Sequence, residues 1–491
     1  MNGVTRTLAA LAALAVGAAS AVACGTEEPA PPPVAWGACP DDVVAEAAPT
    51  LLDCATVPVP LDYADPGAGE IDLMISRLAG QDRDKPRGTL MLNPGGPGGS
   101  GLALSALLVK RGLPASVTDA YDVIGMDTRG IGHSARVGCG FTLDGPYVGN
   151  LPPYAVDDAA VGARAEVVRD VARQCAEHDR DDRLRHLSTV NMARDLDRIR
   201  AALGQPKTSF LGYSYGSALG AAYASMFPDR TDRIVLDSIV GDTHLDRDGM
   251  RRYALGMEET FPHFADWAAA RDDTYGLGRT REEVRAAYLE QAAALDRQPV
   301  QGLDGSVFRT AVFGLLFKEL QYPLLAELWQ SLRAGAAPPD TGPAPSAPAM
   351  DNSWTVYLAV TCNDLDWPED VQPYRDAVAE DRERYPLYGA AAANIIPCAY
   401  WPHEPAEPPA AISAEGPANI LLVQNRRDVP TPYRGAELLR EQFGDRARLV
   451  SVDAAGHGAY LLGDSPCAND TATAFLLDGE LPADDVTCPA P

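Results

Sequence analysis

Basic residues are few in this sequence, and several common site motifs are missing from it. The 491 residues include 41 Lys and Arg against 68 Asp and Glu, a formal net charge of -27 at pH 7. Such a surface repels nucleic acid, because nucleic-acid binding needs clustered Lys and Arg. No CxxC or HExxH spacing occurs, so we expect no zinc site. Long charge blocks and internal repeats are also lacking.

Long apolar runs are equally scarce. The alanine-rich run at 8–22 follows Arg6 and is shorter than the roughly 20 residues that span a bilayer. It ends in AVAC, which resembles a bacterial lipoprotein signal, so we predict a signal peptide at 1–23 and lipidation of Cys24. Secretion without a lipid is the alternative. Either way, we expect the protein to be secreted or held at the extracellular face of the membrane, with residues 24–36 as a disordered, Pro-rich tether.

Cysteine is infrequent, but the number is even once Cys24 is set aside. Eight cysteines suit disulfides in an oxidising compartment. Many pairings are possible, and we predict the nearest-neighbour scheme. Its pairs are Cys39 with Cys54, Cys139 with Cys175, Cys362 with Cys398, and Cys467 with Cys488.

Short apolar runs alternate with helical patterns along much of the chain. The runs LMLN (90–93) and ILLV (420–423) are apolar on both faces, which is typical of central parallel strands covered on both faces. Residues 191–204 carry apolar side chains at helical spacing and end in glycine. Strands that alternate with helices predict an α/β fold with a doubly wound, mostly parallel sheet.

The alternation stops between residues 245 and 405, where helical patterns dominate. We therefore predict a mainly helical cap at 245–405. It is inserted into a core whose N-terminal part is 37–244 and whose C-terminal part is 406–491. The hydrophobic content of 46% is enough for a large core and more than one sub-domain.

The motif Gly-x-Ser-x-Gly at 212–216 lies between an apolar run and a helical pattern. This is the context of a nucleophile elbow, in which a strained turn lifts a serine hydroxyl above the sheet. Bulky residues two positions from Ser214 would collide with neighbouring structure, which explains the glycines. A tight turn without chemistry is the alternative.

A serine nucleophile needs a base and an orienting acid. Of the seven histidines, His457 lies in a glycine-flanked segment just past the last strand pattern, where the base belongs. Asp428 directly follows the penultimate strand pattern and is predicted to orient the imidazole. Asp453, four residues before His457, is the rival for that role.

An oxyanion hole needs two N–H donors. We predict one from Tyr215 and one from the glycine-dense turn at 93–101, with Gly96 as first choice and Gly95 as second. A phosphate-binding loop is the alternative, but no Gly-Lys-Ser or Gly-Lys-Thr follows the turn.

Five motifs occur in order along the chain: NPGGPGGSG (93–101), DTRGIGHS (127–134), GYSYGS (212–217), DVPTP (428–432) and GHG (456–458). Together they resemble the α/β-hydrolase serine exopeptidases related to proline iminopeptidase, and the likeness is greatest to the secreted tripeptidyl aminopeptidases of actinobacteria and covers nearly the whole mature chain. The resemblance implies an α/β-hydrolase fold with an inserted helical cap, Ser214, Asp428 and His457 as a triad, and release of short units from peptide N-termini.

Within DTRGIGHS, we predict that Asp127 and Arg129 brace the site through a buried ion pair. The family's HGGPG is PGGPG here, with Pro94 in the histidine's place. This difference favours the release of units longer than a single proline.

An aminopeptidase also needs carboxylates to hold the substrate ammonium. We favour Asp364 and Asp366 as a buried pair, in a loop that Cys362 tethers. Glu258 and Glu259 are the other candidates, and solvated cap acids are the alternative to all four.

The sequence thus predicts a serine aminopeptidase that releases di- or tripeptides through an acyl-enzyme, with no metal or organic cofactor. Its partners are peptides with a free N-terminus, and any membrane contact is through lipid on Cys24. Two alternatives are a carboxylesterase or other acyl hydrolase on the same triad, and a non-catalytic binding lipoprotein.

Overall fold

The computed structural model describes residues 34–79, 85, 87–147, 149–241, 245–340 and 346–491. The predicted signal peptide, Cys24 and most of the predicted tether lie outside these residues. Among the helices described, none combines the length and the apolarity that crossing a membrane requires.

The described strands form one ten-stranded sheet in the order β1-β2-β3-β5-β4-β6-β7-β8-β9-β10. The first three pairs in this order are antiparallel, and all the others are parallel. The strands are β1 (Gly37–Ala38), β2 (Leu52–Pro60), β3 (Glu70–Leu78), β4 (Thr89–Asn93), β5 (Asp122–Met126), β6 (Thr208–Tyr213), β7 (Thr231–Asp237), β8 (Ile420–Arg427), β9 (Ala447–Ala455) and β10 (Val486–Cys488).

Helices cover both faces of this sheet, as its apolar strands require. In the core part of the described chain they are α1 (Asp41–Ala47), α2 (Leu104–Lys110), α3 (Ala115–Ala120), α4 (Asp158–His178), α5 (Thr189–Ala202), α6 (Tyr215–Met226), α15 (Tyr433–Phe443) and α16 (Pro466–Asp478). Between β7 and β8 lie α7 (Arg247–Ala269), α8 (Asp272–Tyr275), α9 (Arg281–Arg297), α10 (Gly305–Leu315), α11 (Tyr322–Arg333), α12 (Ala347–Asp364), α13 (Gln372–Arg384) and α14 (Gly389–Ala392).

Alternate side chains of each central strand enter different apolar layers. Met91 and Phe210 pack in one layer, whereas Leu92 and Leu211 pack in the other. The register aligns the ends of the parallel strands, with Tyr213 opposite Asp237 at the carboxyl end of β6. Loops that follow neighbouring strands therefore meet at one edge, and the prediction of a doubly wound, mostly parallel α/β fold is confirmed.

The eight helices between β7 and β8 all lie within the range predicted as a cap. They carry their own aromatic core, in which the Trp329 ring packs against those of Phe264, Tyr288 and Phe308. The division of the chain into core and cap domains stays a prediction.

Four disulfides cross-link the described chain, and each joins two cysteines that follow one another in the order of cysteines along the chain. They are Cys39–Cys54, Cys139–Cys175, Cys362–Cys398 and Cys467–Cys488. Cys362 lies in the last turns of α12. Asp364 is the last residue of α12, so of the two aspartates that we expected in a tethered loop only Asp366 lies outside the helix.

Candidate active site

The predicted nucleophile sits in a strained turn between β6 and α6. Ser214 has φ 57° and ψ -125°, a conformation that costs free energy for a residue with a side chain. A Cβ on Gly212 would lie 2.2 Å from the carbonyl oxygen of Gly216, and one on Gly216 would lie 2.8 Å from that of Asn93. The two glycines are needed because the turn folds back on itself and against β4. The helix α6 starts at Tyr215, directly after the serine.

The predicted acid and base are in direct contact at the ends of β8 and β9. His457 Nδ1 lies 3.0 Å from both carboxylate oxygens of Asp428, and Asp428 is buried. The same carboxylate accepts the Thr431 N–H at 3.1 Å. The rival Asp453 is about half exposed and pairs with Arg427 at 2.8 Å. The structure therefore brings Asp428, and not Asp453, to the imidazole.

Asp237, at the end of β7, joins the serine turn to the histidine loop. Its backbone oxygen accepts the Ser214 N–H at 2.9 Å, and its carboxylate accepts the N–H groups of Ala459 and Tyr460 at 2.9 and 2.6 Å. Complete burial raises the pKa of this carboxyl to about 6. We missed Asp237 in the sequence, although a carboxylate that ends an apolar strand was a usable signal.

In this structure no hydrogen bond joins the Ser214 hydroxyl to His457, both of which are described residues. Such bonds are often long in a free enzyme and shorten only when substrate binds. Two links hold the serine turn and the histidine loop in proximity: the bonds of Asp237, and the Tyr213 hydroxyl, which donates to the Tyr460 carbonyl oxygen at 3.0 Å.

The glycine-dense turn after β4 packs directly on the serine turn. A Cβ on Gly95 would lie 2.8 Å from Ser214 Cβ and 3.0 Å from the Tyr215 nitrogen. The Gly95 N–H already donates to Asn93 Oδ1 at 2.9 Å, whereas the Gly96 N–H donates to none of the described residues. The Tyr215 N–H starts a helix, where an N–H has no acceptor within the helix. These contacts favour Gly96 over Gly95 as the second donor beside Tyr215.

The Asp127 side chain accepts hydrogen bonds that stabilise this turn. It accepts the Ser100 hydroxyl at 2.6 Å, the Gly101 N–H at 3.2 Å and the His133 N–H at 2.9 Å. Burial raises the pKa of the Asp127 carboxyl, and these hydrogen bonds oppose that rise. Asp127 thus supports the candidate oxyanion loop through hydrogen bonds.

A buried ion pair is present in this region, but it joins Arg129 to Asp195 of α5 and does not include Asp127. The guanidinium Nε and Nη2 each lie 2.7 Å from one carboxylate oxygen of Asp195, and both residues are buried. The other guanidinium hydrogens go to the carbonyls of Pro60, Leu61 and His186. Arg129 therefore ties β2, β5 and α5 together beneath the site.

Asp364 and Asp366 do not form the buried pair that the sequence suggested. Asp364 is buried at the end of α12 and accepts the Thr189 N–H at 2.7 Å and the Thr189 hydroxyl at 2.5 Å. That hydroxyl also lies 2.6 Å from the Tyr215 hydroxyl. Asp366 is exposed, because the helix ends between the two residues and the chain turns outward. The expectation of a buried pair is therefore wrong.

The two glutamates of α7 also lie in different surroundings. Glu258 pairs with Arg285 at 2.7 Å and accepts the Leu387 N–H at 3.1 Å. Glu259 is exposed, and partial desolvation with the nearby charge of Glu437 raises its pKa. The four predicted acids therefore do not make up one buried anionic site.

Within the described residues, one group of three side chains has metal-ligand character. Ligand atoms of Asp179, Asp182 and His403 lie within 4.8 Å of one another. Asp179 already accepts the N–H groups of Arg183 and Leu184. None of the three belongs to the elements that carry Ser214, Asp428 or His457.

The order of these features along the chain defines the class of protein. A serine turn follows β6, a helical insertion follows β7, an aspartate follows β8 and a histidine follows β9. A mostly parallel sheet with this arrangement is an α/β hydrolase.

Comparison with known proteins is more specific. Residues 385–488 match the family described as TAP-like protein. The chain is 35% identical to the tripeptidyl aminopeptidase of Streptomyces lividans over 459 residues, which cover 90% of this chain and 84% of that protein. The chain therefore belongs to the tripeptidyl aminopeptidase family and is a serine aminopeptidase of the α/β-hydrolase superfamily. The resemblance found in the sequence is confirmed.

Two other similar proteins carry different names. Serine protease Hip1 of Mycobacterium tuberculosis is 30% identical over 482 residues, with 93% of this chain and 91% of that protein covered. Carboxylesterase B of the same organism is 26% identical over 503 residues, with 96% and 95% covered. A solved proline iminopeptidase-related protein from Thermus thermophilus aligns with 86% of this chain and 97% of its own, at 17% identity and a TM-score of 0.37.

Proposed function

We propose that this protein is an exported serine aminopeptidase that releases di- or tripeptides from peptides with a free N-terminus. The observation that carries the proposal is the hydrogen bond between the buried Asp428 carboxylate and His457, at the sheet edge that also holds the strained Ser214 turn. Similarity to a tripeptidyl aminopeptidase over 90% of the chain supports the class of substrate.

In the proposed reaction, the Asp428 carboxylate accepts a hydrogen bond from the Nδ1–H of His457, which holds the ring proton on Nδ1 and leaves Nε2 free to act as base. Nε2 takes the proton of the Ser214 hydroxyl as its oxygen attacks the peptide carbonyl carbon. The N–H groups of Tyr215 and Gly96 bind the oxyanion that forms. His457 then gives its proton to the leaving amine, and the peptide bond breaks to leave an ester on Ser214. Water, activated by the same imidazole, hydrolyses that ester and restores the serine.

Asp364 is our candidate for the group that holds the substrate ammonium. It is the one buried carboxylate of the four predicted acids, and Thr189 links it to Tyr215 beside the nucleophile. We expect Asp364→Asn to raise KM for substrates with a free amine much more than it lowers kcat. The exposed Asp366 offers the matched control, Asp366→Asn, which should leave both constants unchanged.

Export is the second part of the proposal. Four disulfides in the described chain are typical of an oxidising compartment, and the AVAC sequence provides Cys24 as the site of lipidation. Metabolic labelling with an alkyne fatty acid tests it. Label on the wild type that is lost in Cys24→Ser supports a lipoprotein, and an unlabelled, secreted wild type would leave plain secretion as the mode of export.

The central experiment compares three substrates on the wild type and on Ser214→Ala. They are a tripeptide aminomethylcoumarin amide with a free N-terminus, its N-acetylated form, and p-nitrophenyl butyrate. An amine-reading peptidase should lose most of its activity on acetylation and all of it in Ser214→Ala. The similarity to a carboxylesterase keeps that activity as the second candidate. A preference for the ester with no effect of acetylation would establish it instead.

A fluorophosphonate probe tests the nucleophile independently of substrate choice. The wild type should be labelled and Ser214→Ala should not. A folded wild-type protein that resists the probe would argue for a binding protein built on a hydrolase fold.

A further inference from the structure

The helical insertion contacts the histidine loop through the segment between α10 and α11. The His457 N–H donates to the Phe317 carbonyl oxygen at 2.7 Å. The Lys318 ammonium donates to the His457 carbonyl oxygen and, at 3.2 Å, to that of Leu462. Both main-chain polar groups of His457 are therefore bonded to the insertion rather than to the sheet.

Side-chain packing reinforces these bonds. The ring of Phe317 lies 5.4 Å from the imidazole of His457, between ring centres. A Cβ on Gly456 would lie 3.2 Å from the Phe317 carbonyl oxygen, so the two segments run close together with little room between them. The imidazole is thus held by Asp428 through Nδ1 and by Phe317 through its ring.

The same segment is anchored to the rest of the insertion. Glu319 pairs with His263 of α7 at 2.9 Å. Two helical turns before His263, Gly256 packs on the loop after Asp428, because a Cβ there would lie 2.1 Å from the Val429 carbonyl oxygen. A shift of α7 would therefore displace both the loop that carries Asp428 and the loop that carries His457.

We propose that Phe317 and Lys318 form a clamp, by which the insertion positions His457 for catalysis. The inference rests on the proposed function, because it takes His457 to be the base. In this scheme Lys318 is a positioning residue that never touches substrate. The active geometry then depends on where the insertion sits over the sheet, and not on the sheet alone.

The charge of Lys318 provides a signature that a purely structural role would not have. Its ammonium is partly buried and faces Asp237, Asp428, Asp464 and Arg111. On its other side, the imidazole faces Asp428, Thr431 and the Phe317 ring. A cation at this place opposes protonation of the imidazole. Removing it should therefore move the acid limb of the pH profile upward.

The test is the pH dependence of kcat/KM in the full-length protein, measured on the free tripeptide amide from about pH 5 to pH 8. In Lys318→Met we expect the midpoint of the acid limb to rise by about 0.5 to 1 pH unit and the plateau to fall about tenfold. Lys318→Arg should keep the midpoint, because it retains the charge. Lys207→Met, which alters an exposed lysine at the opposite end of the sheet, should match the wild type.

A folded Lys318→Met protein with an unchanged midpoint and plateau would overturn the clamp. If circular dichroism shows that this variant does not fold, Phe317→Leu replaces it. Loss of the ring contact should lower the plateau without moving the midpoint, and a wild-type plateau would refute the proposal. His457→Ala, assayed in parallel, separates the two inferences. Activity in His457→Ala refutes the proposed function, whereas an inactive His457→Ala beside a wild-type-like Lys318→Met refutes the clamp alone.

Discussion

Exchanging Asp428 for asparagine tests the proposed mechanism most directly. Asparagine has the same shape, and its side-chain oxygen can still accept the Thr431 N–H, now received at 3.1 Å. We therefore expect the fold to survive. The other side-chain atom becomes an NH2 group, which donates to His457 Nδ1 and forces the ring proton onto Nε2. Nε2, the nitrogen that acts as base in the proposed reaction, then has no lone pair to receive the serine proton.

The magnitude follows from that tautomer switch. In serine hydrolases an acid-to-amide change of this kind lowers kcat by about 10⁴, which corresponds to about 5.4 kcal/mol of activation free energy. Asp453→Asn is the matched control, because Asp453 is about half exposed and contacts Arg427 instead of His457. Since exposed ion pairs contribute little, it should change kcat by less than about twofold.

The assay is the steady-state kcat on the free tripeptide amide, combined with the rate of fluorophosphonate labelling. Thermal unfolding of both variants verifies that they are folded. Asp428→Asn within tenfold of the wild type would refute the assignment of the acid. Equal impairment of both variants would show that the exchange disturbs the local structure in general rather than the tautomer of the imidazole.

Three further outcomes follow from the described contacts. Arg129→Met leaves the buried Asp195 carboxylate without its partner and should lower the free energy of unfolding by about 3 to 5 kcal/mol; a urea titration that shows a loss under about 1 kcal/mol would contradict this. Gly95→Ala should reduce kcat at least about 100-fold, because its Cβ would displace the oxyanion loop, whereas Gly314→Ala, with open space around it, should not. Burial raises the pKa of Asp237 from 3.8 to about 6, so the native state holds this proton more tightly than the unfolded chain does. Its contribution to stability should fall by about 3 kcal/mol between roughly pH 4 and pH 6, and urea titrations across that range should show no such fall in Asp237→Asn.

The parts of the fold that the sequence predicted are those with a local signal. β4 and β8 contain the runs at 90–93 and 420–423, from which the sequence predicted central strands. β2 was missed because Pro58 and Pro60 interrupt its pattern. In the sheet, β2 pairs with β3 along its whole length, while β1 covers only Cys54 and Asp53 on the other side. The prolines are tolerated because their positions face no partner on that open edge.

The residues of the candidate site likewise divide into those that have a local signal in the sequence and those that have none. Ser214, Asp428 and His457 each follow a strand pattern directly, so the order of turns along the chain was enough to select them. The acids predicted to bind the substrate ammonium had no such anchor. Asp364 and Asp366 are two residues apart in sequence, yet the end of α12 buries one and exposes the other.

From the sequence we could predict the central strands of the sheet, the strained serine turn and the residues proposed to react, because backbone sterics and strand periodicity act within a few residues. Tertiary structure alone decided which carboxylates are buried, how Asp237 joins two loops and what holds the imidazole in place. The clamp illustrates the reason. Residues 308–335 have one helical pattern, but the helix breaks near Lys318, whose side chain bonds a carbonyl 139 positions away. Contacts over such separations depend on how the whole chain packs, and no short stretch of sequence encodes them.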